Sequence, residues 1–128
     1  MKSKNLLLWA CRIVAALIML QTLYFKFTGS AESVYIFSQV GMEPVGRIAT
    51  GIAELIASVL ILIPKTSLIG ATLSLIIMIG ALATHISILG IEVMNDGGQL
   101  FSYAIIVALA SLYVILRHTR KRKKPVVL

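Results

Sequence analysis

Two apolar stretches decide the fold of this chain: GRIATGIAELIASVLILI at residues 46–63 and LIGATLSLIIMIGALATHISILG at residues 68–90. A helix needs about 20 apolar residues to cross a hydrocarbon core ~30 Å thick, with roughly 17–25 tolerated, so each stretch can span a membrane. Only Pro64-Lys65-Thr66-Ser67 separates them. Because so short a connection permits only a turn, we expect two antiparallel neighbouring helices.

Two further apolar stretches flank this pair, one near each end of the chain. Backbone groups in lipid must find hydrogen-bond partners within their own segment, so all four stretches are expected to be helices. The sequence therefore predicts an all-α integral membrane four-helix bundle that forms a single transmembrane domain over residues 1–128. The predicted spans are residues 6–25, 46–63, 68–90 and 100–116, followed by a basic tail at 117–128.

The composition supports a membrane protein and excludes several other classes. Of 128 residues, 59% are apolar and 13% are charged, whereas soluble domains carry roughly 45–50% apolar and about 25% charged residues. A soluble domain, a disordered chain and a disulfide scaffold are therefore not expected. The single cysteine, Cys11, lies within the first span. No metal-ligand spacing, Walker loop or dinucleotide fingerprint occurs, so no metal site is predicted.

Charge predicts the orientation of the spans. One side of a four-span arrangement carries most of the basic residues and no acidic ones: Lys2, Lys4, Lys65, Arg117, Arg120, Lys121, Arg122, Lys123 and Lys124. The positive-inside rule then places both termini in the cytoplasm. The run His118–Lys124 directly follows an apolar span. We interpret it as a flank that contacts anionic lipid head groups, and not as a nucleic-acid site.

A short amphipathic helix is predicted between the first two spans. Ser30 and the residues after it resemble a helix start, Gly41 resembles a helix end, and Val34 and Phe37 recur at helical spacing. Such a helix would lie on the outer face or cap the bundle. The alternative is an irregular loop.

The most informative ionisable residues within or beside the spans are Arg12, Lys26, Glu54 and His85. A charge at the centre of a membrane helix costs about 2.5–3.5 kcal/mol, so such groups usually face the interior and find partners. From the rise per residue, Glu54 and His85 differ in depth by about 4 Å, and Glu54 and Arg12 by about 9 Å. We therefore expect Glu54 to pair with Arg12 or His85, or to be protonated.

Helical spacing suggests that these groups share one interior chamber. Each of the last three spans carries a stripe of small or polar residues, and small residues let helices approach closely. The stripes are Arg47, Gly51, Glu54 and Ser58; Gly70, Ser74, Met78, Ala81 and His85; and Gln99, Tyr103, Ile106 and Ala110.

Each residue also has a purely structural interpretation. Lys26 and Arg47 can anchor helix ends. His85 can be a core histidine bonded to a carbonyl, and Glu54 can belong to a structural ion pair. Tyr24 and Tyr103 fit an aromatic belt at the membrane surface.

The chain resembles the DoxX family of small four-span bacterial membrane proteins over about residues 6–116. The resemblance rests on several pieces in order: Arg12, Phe25-Lys26-Phe27-Thr28-Gly29, the stretch 35–44, Gly51-Ile52-Ala53-Glu54-Leu55, the stretch 80–85, and Asn95-Asp96-Gly97-Gly98-Gln99.

This resemblance implies a location in the bacterial inner membrane and a polar site at Arg12, Lys26, Glu54 and His85. Named members of the family include subunits of a thiosulfate:quinone oxidoreductase, and others are associated with membrane redox complexes. A cysteine confined to the first span argues against a sulfur-handling thiol site here.

Three functional hypotheses follow. In the first, the protein is a redox-associated subunit near quinone or lipid: Glu54 and His85 are the catalytic proton relay, and Arg12, Lys26 and Gln99 bind the quinone cofactor. Its partners would be a membrane redox protein or a second copy of the chain. In the second, the protein is a non-catalytic scaffold. In the third, it is a proton-coupled small-molecule carrier that dimerises.

Overall fold

The structure is a computed structural model that describes residues 2–123 and the side chains of residues 5–119. Five α-helices follow one another with no strand among the described residues. They are α1 (Lys2–Thr28), α2 (Ala31–Val40), α3 (Val45–Leu62), α4 (Ser67–Thr84) and α5 (Gln99–Lys123). A 3-10 turn, Pro64–Thr66, connects α3 to α4, and α4 continues into a π-helical turn, His85–Leu89.

The four predicted spans are confirmed as helices. Segments Asn5–Thr28, Val45–Leu62, Pro64–Leu89 and Gln99–Thr119 are long and apolar enough to cross a membrane. The first helix continues three residues beyond the predicted end at residue 25, so that Lys26 lies in its last turn. The predicted basic tail begins inside α5, which continues to Lys123, and residues 124–128 lie outside the described part of the chain.

The four long helices form a square in which each neighbour is antiparallel. α1 packs against α3 and α5, and α4 also packs against α3 and α5. Arg12, early in α1, contacts the last carbonyls of α3, and His85, just after α4, contacts Phe101 in the first turn of α5. The start of α1 and the end of α5 therefore share one end of the bundle, here the tail end. The opposite end, which carries α2 and residues 90–98, is the cap end.

Small side chains dominate the tail half of the core. Lipid is as apolar as leucine, so helices in a membrane associate through close packing and not through escape from water. Ala15, Ala57 and Ala71 are completely buried there, and large side chains such as Leu17 and Ile69 point outward. The closest approach is at Gly70, which lies against the backbone of Leu60 and Ile61.

The helix α2 exists because both of its ends are capped. The Ser30 hydroxyl accepts a hydrogen bond from the Ser33 N–H at 3.2 Å, which satisfies one of the free donors at the helix start. Gly41 adopts a φ of 75°, and the N–H groups of Gly41 and Met42 donate to the carbonyls of Ser38 and Phe37. This Schellman motif ends the helix. The predicted helix is confirmed, and the alternative of an irregular loop is wrong.

The start of α5 depends on Asp96. Its carboxylate accepts hydrogen bonds from the N–H groups of Val93, Gly98 and Leu100 at 2.8–3.2 Å. Partial burial raises the pKa of Asp96, but these donors outweigh the burial, and the pKa lies below its ordinary value. The carboxylate therefore stabilises the α5 start at neutral pH and loses this effect as the pH falls through its lowered pKa.

We predict that Gly70→Ala lowers the free energy of unfolding by about 1–3 kcal/mol, as expected for overpacking. A Cβ at Gly70 would lie 2.7 Å from Ile61 Cα and from the Leu60 carbonyl carbon, and neither backbone atom can move freely. Gly80→Ala is the matched control on the same helix, because a Cβ there meets nothing within 4 Å. SDS titration of the purified protein measures both. Equal stability of the two variants would contradict the close α3–α4 contact.

Candidate functional site

A cavity of about 820 Å³ occupies the cap half of the bundle. All five helices contribute to its wall, which is mainly apolar. This volume falls within the range of roughly 300–1,000 Å³ typical of small-molecule sites, which combine apolar walls with a few polar groups. The polar groups of interest here are Thr22, Lys26, Glu54, His85, Gln99 and Tyr103.

The central polar feature is an ion pair between Lys26 and Glu54. Lys26 Nζ lies 2.8 Å from Glu54 Oε1, and the Glu54 side chain is only 3% exposed. The contact is close but lacks the alignment of a hydrogen bond at Oε1. Lys26 Nζ also donates to the Thr22 hydroxyl at 3.4 Å. A buried carboxylate without a cation would be strongly unfavourable, so the contact with Lys26 offsets part of the cost of burying Glu54.

This ion pair corrects the sequence prediction for Glu54. The predicted partners were Arg12 and His85, and neither contacts the carboxylate; the interpretation of Lys26 as an anchor at the membrane surface is also wrong. Depths estimated from the rise per residue locate the backbone and not the end of a long side chain. Lys26 starts near the cap end, but its long apolar stem extends inward along the cavity to reach the carboxylate.

Arg12 lies outside the cavity and joins α1 to the end of α3. Its Nε donates to the Ile61 carbonyl and its Nη2 to the Leu62 carbonyl, both at 2.7 Å. The guanidinium also stacks on the Trp9 ring, 3.8 Å from its centroid. The last carbonyls of a helix lack partners within the helix and form the negative end of its dipole. The structure therefore separates Arg12 from the other predicted site residues and gives it a position at the tail end.

His85 lines the cavity at the first residue of the π-helical turn. Its Nδ1 lies 2.9 Å from the Gly90 carbonyl oxygen, and its ring meets the Phe101 ring edge-on with centroids 5.6 Å apart. The structure thus combines the two interpretations of this residue. One nitrogen is satisfied by a backbone carbonyl, as in a core histidine, and the same ring forms part of the cavity wall.

Gln99 and Tyr103 form a second polar group on α5. Gln99 Nε2 donates to the Tyr103 hydroxyl at 2.8 Å, and both residues line the cavity. The four-residue spacing of Gln99 and Tyr103 puts them on one stripe of α5, and the structure brings their side chains together. The aromatic-belt interpretation of Tyr103 stays a prediction. Tyr24, which is 68% exposed, has the outward position expected of a belt residue.

Glu32 brings a second carboxylate to the cavity from α2, although the sequence indicated only a polar face there. Burial raises the pKa of Glu32, and the Asp96 carboxylate raises it further. Nearby, Arg47 holds the end of α1 against the start of α3. Its Nε lies 3.0 Å from both Glu43 carboxylate oxygens, and its Nη1 donates to the Lys26 carbonyl.

No described group of three or more His, Cys, Asp or Glu side chains is placed to hold a metal ion. The polar side chains of this site are one lysine, two carboxylates, one imidazole, two amides and one phenol, together with serine and threonine hydroxyls. These groups can bind a neutral polar head group, and they can hold or exchange protons.

Four membrane-length helices around a partly polar cavity define a small multi-pass integral membrane protein. A model of the DoxX-like family matches residues 10–111, so the chain belongs to that family, and the resemblance noted in the sequence is confirmed. Comparison with the curated proteins and with the solved structures gave no match.

We predict that Lys26→Met lowers the free energy of unfolding by about 3–5 kcal/mol, because it leaves the Glu54 carboxylate buried without a cation. Glu54→Leu is expected to have a smaller effect, since the lysine stem can turn toward the cap end. The double variant Lys26→Met/Glu54→Leu should recover most of the loss. SDS titration of the four proteins gives the coupling free energy of the pair.

Lys65→Met is the matched control, since Lys65 is exposed in the α3–α4 turn. It should leave stability unchanged. Additive effects of the two single substitutions at Lys26 and Glu54 would show that these side chains do not interact.

Proposed function

We propose that this protein is a redox-associated membrane subunit that binds the head group of a quinone-class amphiphile in the cavity. The observation that carries the proposal is an ion pair buried beside open space. A purely structural pair is expected in a closely packed interior, but Lys26 and Glu54 line a cavity of about 820 Å³. An apolar chamber with a few polar groups suits a flat ring head group with polar oxygens.

The residues present fit such a head group. An ammonium group has three N–H donors. The Thr22 hydroxyl accepts one of them, and Glu54 pairs with the charge, so Lys26 keeps a donor for a ligand oxygen. A carboxyl group and an imidazole, here Glu54 and His85, are side chains that can accept and donate protons. Gln99 keeps its carbonyl oxygen as an acceptor, because its amide nitrogen donates to Tyr103. A quinone would supply reversible two-electron, two-proton chemistry at this position.

Arg12 does not take part in binding in this proposal. It stabilises the bundle by joining α1 to the last carbonyls of α3. Its role supports the second candidate, a scaffold without turnover, because this arginine and the Lys26–Glu54 pair both link α1 to α3. The two candidate functions differ in whether the cavity binds a ligand.

We further propose that the protein lies in the bacterial inner membrane with the tail end in the cytoplasm. The support is the asymmetry of the basic residues, which concentrate at the chain termini and at Lys65, whereas residues 90–98 carry only acidic charges.

A cavity-filling variant tests the binding proposal. Gly80 is an exposed residue that lines the cavity, and a Cβ there meets nothing within 4 Å, so Gly80→Phe adds a ring at the cavity wall without a backbone clash. We expect it to weaken binding of decyl-ubiquinone to the protein in lipid nanodiscs by roughly tenfold or more, which corresponds to about 1.4 kcal/mol. Equilibrium dialysis with wild-type protein as reference measures this.

Ala83→Phe is the matched control, because Ala83 is an exposed residue of the same helix. It should bind the quinone as the wild type does. Absence of saturable binding to the wild type, or equal binding by the Gly80→Phe variant, would exclude the quinone proposal and favour the scaffold.

Site-directed labelling tests the orientation. In a Cys11→Ser background, Glu92→Cys should react with a membrane-impermeant maleimide in right-side-out membrane vesicles. Lys65→Cys should react only in inverted vesicles, because positively charged turns stay in the cytoplasm. The reverse labelling pattern would overturn the proposed orientation.

A further inference from the structure

The hydrogen-bonding state of His85 is determined by its backbone partner. A carbonyl oxygen can only accept a hydrogen bond, so the contact of 2.9 Å between Nδ1 and the Gly90 oxygen requires a proton on Nδ1. A neutral imidazole carries only one N–H. Nε2 of the neutral ring is therefore a hydrogen-bond acceptor.

Two features hold the ring in this state. The Gly90 N–H donates back to the His85 carbonyl at 2.6 Å, so the two residues are joined in both directions. Gly90 has a φ of 80°, a backbone conformation that favours glycine and turns its carbonyl toward the imidazole. On the other side, the Phe101 ring packs edge-on against the imidazole. The ring therefore has little freedom to exchange the roles of its two nitrogens.

The unused nitrogen belongs to a side chain of the cavity wall. Among the residues that the structure describes, no hydrogen bond reaches Nε2, and His85 lines the cavity while only 5% exposed. Nε2 itself is not fully buried, so a ligand in the cavity can reach it. Such an acceptor binds most favourably to a ligand that supplies a donor, because covering a polar atom without giving it a partner is unfavourable.

The charges of the wall disfavour an anionic ligand. Lys26, the basic side chain of the cavity wall, is already paired with Glu54 at 2.8 Å. An anionic head group would have to leave water without a free cation among the described cavity residues, and it would share the cavity with the Glu32 carboxylate. A neutral head group with a hydroxyl group avoids that cost.

We infer that the ligand is a neutral amphiphile with a hydroxyl group, and that its O–H donates to His85 Nε2. This inference rests on the proposed function, and it specifies the form bound: for a quinone-class ligand, the hydroxyl-bearing reduced form binds more tightly than the dione, which has no donor. His85 is then a specificity residue, and Gly90 is a positioning residue that acts through it.

Two probes that differ only in the donor test the inference. Para-octylphenol carries an O–H, and its methyl ether, para-octylanisole, has the same ring and alkyl chain without it. Binding to wild-type protein in nanodiscs is measured by equilibrium dialysis, with the Gly80→Phe protein as the reference for partitioning into lipid. We expect the phenol to bind at least about tenfold more tightly than the ether, as for other sites that hydrogen-bond a hydroxyl.

The preference should depend on His85 and not on the other histidine. His85→Phe should bring the affinity ratio of the two probes to about one, because the acceptor is lost. His118→Phe is the matched control, since His118 lies at the tail end with its Nδ1 near the Val114 carbonyl. It should keep the ratio of the wild type.

A spectroscopic measurement covers the case in which the His85→Phe variant does not fold. In wild-type protein labelled with nitrogen-15 at histidine, His85 should show a protonated Nδ1 and an unprotonated Nε2. Addition of the phenol should shift the Nε2 resonance of His85 and leave that of His118 unchanged.

The outcomes separate the inference from the proposal beneath it. If both probes bind the wild type equally, or the ether binds more tightly, the hydroxyl inference fails while the cavity remains a binding site. A proton on Nε2 of the ligand-free protein also overturns the inference. If the wild-type and Gly80→Phe proteins take up each probe equally, neither probe binds in the cavity. Both the inference and the proposed function then fail.

Discussion

The need to neutralise one carboxylate far from water organises the cap half of this protein. Glu54 lies at the middle of α3, where a lone charge would be strongly unfavourable, and the only cation that contacts it in the described structure comes from another helix. The resulting ion pair joins α1 to α3. Arg47 fixes the position of the same two helices along the bundle axis. It donates to the Lys26 carbonyl while it contacts Glu43. The position of the lysine is therefore determined from both its side chain and its backbone.

The two halves of the bundle differ in how closely their helices pack. In the tail half, alanines and Gly70 allow the helices to touch, and Arg12 satisfies the last carbonyls of α3. In the cap half, the same four helices separate enough to enclose a cavity, and α2 covers part of it. Close packing at one end provides the rigidity that a polar chamber at the other end requires.

Much of the architecture could be predicted from the sequence because it follows from local rules. Hydropathy defines the spans, and Ser30 and Gly41 define the ends of α2. The periodicity of the stripes placed Glu54, His85 and Gln99 in one interior, as the cavity shows. The partner of Glu54 could not be predicted in the same way. A depth estimate locates backbones, whereas lysine and arginine extend several ångströms toward either end of a helix.

Other parts of the site depend on tertiary relationships that periodicity does not contain. Arg12 finds the end of α3 only because α1 and α3 are antiparallel and in a particular register. The π-helical turn after Thr84 changes the direction of the side chains that follow it, and no local signal in the sequence indicated it.

The chain order of the ion pair has a consequence for biosynthesis. The ribosome releases α1 before α3, so the ammonium group reaches the bilayer ahead of its counter-ion. An isolated lysine near the end of a helix can still extend toward the head groups, whereas a carboxylate in the middle of α3 cannot. The more tolerant charge thus enters first. When the Glu54 carboxylate is inserted at the translocon, its countercharge, Lys26 on α1, has already been synthesised.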